Sequence, residues 1–94
     1  MIRYRPNMDN IKYSLREEQI FDTVDDMLLY VFDHWSRVVS FMGARKPFRM
    51  EEIIISDLGR ENALTGWKDE HMILVHRMKD NIFPLPICIG YCGE

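Results

Sequence analysis

Cysteine is scarce in this chain, at two residues in ninety-four, and proline and glycine are hardly commoner, at four and five. Two cysteines cannot build the disulfide framework of a small secreted scaffold, and a reducing compartment would keep both as thiols. Ser/Gly-rich linkers, low-complexity tracts and internal repeats are absent, so residues 1–94 read as one continuous domain. Strong charge of one sign is missing too. The net charge is −3 with both signs mixed along the chain, a field too weak to gather polyanions or anionic lipid. Long hydrophobic runs are also lacking: Met27 to Phe32 is closed off by Asp26 and Asp33, far short of the roughly 20 residues of a membrane span. Arg3 and Arg5 are followed by Pro6, Asn7 and Asp9 where a signal peptide would turn apolar, so the expectation is a cytoplasmic protein with no membrane association.

What is present is a set of apolar periodicities. Thr23 followed by Asp26 supplies a hydroxyl N-cap and an early carboxylate for a helix. Val24, Met27, Leu28, Val31, Trp35, Val38, Val39 and Met42 then recur at helical spacing, Tyr30, Phe32 and Phe41 widen the stripe, and Gly43 offers a stop. So broad an apolar face suits a helix lying across a sheet. The run Glu52 to Leu58 is rich in β-branched residues and reads as a strand, His71 to Met78 as a second, and Ile87 to Cys92, after Pro84 and Pro86, as a third. Short connections favour an antiparallel meander. A further strand is placed at about Glu17 to Phe21, while Ile11, Tyr13 and Leu15 fit either a strand or one helical turn capped by Asp9. The fold class is therefore α+β, one long amphipathic helix packed on a mostly antiparallel sheet of about four strands.

Residues that could carry chemistry are dispersed. Cys88 and Cys92 invite a thiol or metal reading, with His76 as a third ligand. Four residues along an extended strand nonetheless separate two Cα atoms by about 13 Å. A disulfide needs about 7 Å or less, and a shared zinc needs both sulfurs about 2.3 Å from one ion. Two thiols packed on one sheet face are the plainer expectation. His71 and His76 point to opposite faces of a strand, and His34 falls on the flank of the helical stripe, where a packed histidine is expected. Asp22, Asp25 and Asp26 are explained by the helix dipole, so no metal or other cofactor is expected. Arg45, Lys46 and Arg49 surround Phe48, an interleaving that a nucleic-acid surface would use and that a solvated loop after a helix also explains. The segment Ser56 to Trp67 is the longest irregular stretch inside the sheet region, and Asp57, Arg60 and Trp67 are its binding candidates. It lacks the Lys-Ser/Thr ending of a phosphate-binding loop.

The opening Ile2-Arg3-Tyr4-Arg5-Pro6, the pair Phe21-Asp22 before the helix, Gly66-Trp67-Lys68 and the closing Pro86-Ile87-Cys88-Ile89-Gly90-Tyr91-Cys92 together resemble small proteins encoded in phages and prophages of Gram-positive bacteria. The resemblance spans most of the chain and brings no established activity or catalytic residues with it. It implies that the terminal strand belongs to the shared fold.

The expected function is that of a non-enzymatic accessory protein acting through protein–protein binding. Two alternatives stand beside it: a small metal- or thiol-dependent enzyme using Cys88, Cys92 and a histidine, and a nucleic-acid-binding accessory protein using Arg45, Lys46 and Arg49. Both faces of Met72 to Val75 and of Ile53 to Ile55 are apolar, and one helix covers only one face. The other calls for a second copy in a symmetric dimer, or for the N-terminal segment containing Ile2, Tyr4, Met8, Ile11, Tyr13 and Leu15 to fold back over it.

Overall fold

The computed structural model describes residues 1–10, 17–43, 49–57, 70–76 and 86–94. Among these, β1 is Ile2–Pro6, β2 Gln19–Phe21, α1 Val24–Phe41, β3 Ile53–Asp57, β4 His71–Val75 and β5 Ile87–Gly93, with single 3-10 turns at Met8–Asn10 and Met50–Glu52. The strands form one antiparallel sheet in the order β2-β1-β5-β4-β3. The meander of the last three strands is as expected. The fifth strand is β1, where Ile2, Tyr4 and Pro6 alternate with Arg3 and Arg5, so that one face takes the largely apolar side chains and the other the guanidinium groups. For Ile2 and Tyr4 this corrects the alternative expectation that the N-terminal segment folds over the sheet's second face. Ile2 and Tyr4 lie within the sheet on the helix side, and Met8 is exposed. Ile11, Tyr13 and Leu15 lie outside the described residues.

Helix α1 begins where Thr23 Oγ1 accepts the Asp26 N–H at 3.1 Å, with Asp25 and Asp26 in its first turn. It ends at Met42 and Gly43. Gly43 has φ +81°, and its N–H reaches the Ser40 carbonyl at 3.0 Å. Met27, Val31, Trp35 and Val39, spaced by four, are the buried row, meeting Tyr4, Ile73, Val75, Ile89 and Cys92 from the sheet. Phe41 is 94% exposed, so the stripe does not extend to it. The helix has run past the core by that point.

β5 carries a bulge. Its register with β4 runs Val75↔Ile87 and Leu74↔Cys88, then resumes at Ile73↔Gly90, leaving Ile89 without a Cα partner there. The β1 side of the sheet uses its carbonyl instead: Tyr4 Oη donates to Ile89 O at 3.1 Å, and the Asn7 N–H at 3.4 Å. A Cβ on Gly90 would lie 2.6 Å from Tyr4 Cε2 and 2.8 Å from the Arg5 carbonyl, so the buried Tyr4 ring occupies that space.

Candidate functional site

The bulge inverts the facing of everything beyond it. Cys88 pairs with Leu74, and Cys92 pairs with His71, three residues away on β4 and therefore on the other face. The two cysteines are free thiols on opposite faces of the sheet, which corrects the expectation that they share one. Cys92 joins the helix-side core. Burial pushes its thiol up to about 11, with a further rise from the Glu70 carboxylate, so at neutral pH it stays protonated and is no nucleophile.

Cys92 and His71 also border a cleft of about 410 Å³ at the end of the sheet where α1 starts. Ile2, Val24 and Ile55 provide apolar walls, and Gly93 and Glu94 complete the lining. Four adjacent strands and the first helical residue thus contribute to it.

On the opposite face a polar cluster forms around Arg5. Its guanidinium lies 4.2 Å from the centroid of the Tyr91 ring, its cross-strand partner, and its Nη2 is paired with Glu70 Oε1. Glu70 is completely buried, and its second oxygen, Oε2, takes no hydrogen bond among the described residues. The Tyr91 hydroxyl contacts Cys88. Burial raises the phenol's pKa first and the neighbouring Cys88 raises it further, with Arg5 opposing and Glu70 adding to the rise. Cys88 Sγ in turn donates to the Gly90 carbonyl at 3.3 Å. Charge is balanced within this cluster, and its phenol is held protonated, so the arrangement suits fixing β4 to β5 and β1 better than general acid–base work.

The third feature is β3, an edge of the sheet. Its partner on one side is β4, and among the described residues its backbone forms no hydrogen bonds on the other. Ile53, Ile54 and Ile55 make it strongly β-forming, and Ile54 is 45% exposed on the face away from the helix. Neither proline, lysine nor a bulge interrupts it, although natural edges are commonly protected by such devices. β2, at the other edge, has three residues.

Of the candidates read from the sequence, Trp67, Arg60, Arg45 and Lys46 lie outside the described residues. Arg49 is exposed at the start of the Met50–Glu52 turn, its N–H donating to Glu52 Oε2 at 2.9 Å. Asp57 closes β3 opposite His71. His76 follows β4, with its N–H on the Glu52 carbonyl at 3.2 Å, at the far end of the strand from the His71 and Cys92 pair. Cys88, Cys92 and His76 therefore do not converge. Sequence reasoning missed Arg5, Glu70 and Tyr91. The signal for Arg5 was the alternation of β1, whereas a lone Glu70 before an apolar strand announces nothing.

Comparison with models of known protein families, with curated proteins and with solved structures finds no match. No helix among the described residues is long and apolar enough to cross a membrane.

Proposed function

We infer that this chain is a non-enzymatic accessory protein that binds another protein by accepting an extended segment along β3. The observation carrying this reading is an edge of three consecutive isoleucines that no other strand pairs with among the described residues, with Ile54 exposed. An added strand gains main-chain hydrogen bonds along the whole edge, and side-chain contacts at alternate positions supply selectivity. Charge indicates the kind of segment. β3 is approached through Glu51 and Glu52 and ends in sequence on Asp57, acidic positions against one guanidinium, that of Arg49, among the described residues. A segment with β-branched residues at its centre and lysine or arginine at its ends is complementary to this edge. A second copy of β3, laid antiparallel, would bring like charges together at both ends, which disfavours self-pairing here. The phage or prophage setting rests on the resemblance of the terminal segments, and a cytoplasmic location is in keeping with two free thiols.

A thiol-enzyme reading is weakened by the protonated, buried Cys92 and by the separation of the two sulfurs. To test the binding reading, a photo-crosslinking phenylalanine analogue can be placed at Ile54 and, as a control, at the exposed Leu29 on the helix. The expected result is a discrete adduct to one other protein from position 54 alone. Equal labelling from both positions, or adducts to a second copy of the chain, would count against it.

A further inference from the structure

We propose that the cleft between the start of α1 and the end of the sheet is a binding site for a small organic cation with an apolar body, such as an alkyl or aryl amine. At about 410 Å³ it falls within the range of about 300–1,000 Å³ typical of small-molecule sites. It also has their usual composition, apolar walls and a few polar groups. Ile2, Val24 and Ile55 surround the space that an alkyl or aryl body would fill.

The sign of the head group follows from the remaining lining. Neither lysine nor arginine borders the cleft among the described residues, and Glu94 places a carboxylate at its rim. Cys92 adds no charge, because its thiol is protonated at neutral pH. Besides His71, the helix N-terminus at Val24 is the feature among the described lining residues that would attract an anion, and it is already answered: Thr23 accepts the Asp26 N–H, and Asp25 and Asp26 set their charges against the positive end of the dipole. An anionic ligand would meet the Glu94 carboxylate with no lysine or arginine beside it among the described residues, whereas an ammonium group gains that carboxylate and can also donate to the His71 imidazole. The cleft shares Ile55 with β3, but that side chain is on the helix-side face, and Val24, Glu94 and Ile2 lie on other elements, so the site does not depend on strand addition along the β3 edge.

The test uses three matched probes, hexylammonium, hexanol and hexanoate, titrated into the full chain while the methyl resonances of Ile2, Val24 and Ile55 are followed by NMR. Saturable shifts at these methyls are expected with hexylammonium, with affinity about fivefold above that for hexanoate, the size of effect an exposed ion pair supplies. Glu94→Gln should bring hexylammonium down to the affinity of hexanol. Val24→Trp, at a helix position already 42% exposed, should fill the cleft and abolish the shifts without lowering the melting temperature. No saturable shift, equal or tighter binding of hexanoate, or undiminished binding by Val24→Trp would overturn the proposal; should that variant unfold, Glu94→Gln decides by itself.

Discussion

Tyr4 lies where a side chain at Gly90 would have to go, and the hydroxyl of the same ring holds the carbonyl of the bulged Ile89. Replacing Gly90 by Ala should therefore cost about 1–3 kcal/mol, as overpacking against a buried ring does, and urea unfolding would measure it. A change under about 0.5 kcal/mol, the usual size of a surface substitution, would show that the ring is free to move. The bulge also sets the order in which the cysteines react. Alkylation of the native protein at neutral pH should label the half-buried Cys88 before Cys92, and denatured protein should yield two thiols. Cys92 further implies a loss of stability in alkali. Its pKa is raised in the folded state, so its contribution is complete below the ordinary thiol value near 9.0 and is lost as the pH rises towards about 11. A Cys92→Ala variant should show a flatter decline over that interval in pH-dependent melting. The spacing of Cys88 and Cys92 was enough to keep their sulfurs apart, but not to show that they face opposite ways, because a one-residue bulge leaves no mark in an apolar run such as Ile87 to Ile89.

Elements with a strong period are legible in the sequence. Thr23, the fourfold spacing of Met27, Val31, Trp35 and Val39, and Gly43 place α1 within a residue of its ends. The strands of β3, β4 and β5 follow from β-branched runs broken by turn residues, although β4 stops at Val75 and β2 is shorter than expected. β1 carries little strand signal of its own, because its five residues include two arginines and end in proline. Its strand character comes from pairing with both β2 and β5, a tertiary fact. Trp35, fully buried in the middle of the helical row, anchors this packing. Trp35→Ala should cost about 3–5 kcal/mol and leave the domain unfolded or close to it. An unchanged melting temperature would mean that α1 presents a different face to the sheet.

For the molecule as a whole, the polar groups that converge do so within the sheet, and the edge open to a partner lies at its margin. Arg5, Glu70 and Tyr91 balance one another inside, while β3 presents a backbone edge that is unpaired among the described residues and is approached through Glu51 and Glu52. Light scattering coupled to size exclusion should accordingly give a mass near the 11.3 kDa of one chain. A dimer that dissociates on Ile54→Lys would instead identify a second copy as the occupant of the edge. The most direct measurement is amide hydrogen exchange of the protein with either of two synthetic strands that share a β-branched centre and differ in their ends, lysine in one and glutamate in the other. The lysine-ended strand should slow exchange within Ile53–Asp57 and leave Gln19–Phe21 unchanged, while the glutamate-ended strand should do neither. Equal protection by both strands, or protection at β2 in place of β3, would contradict strand addition at this edge.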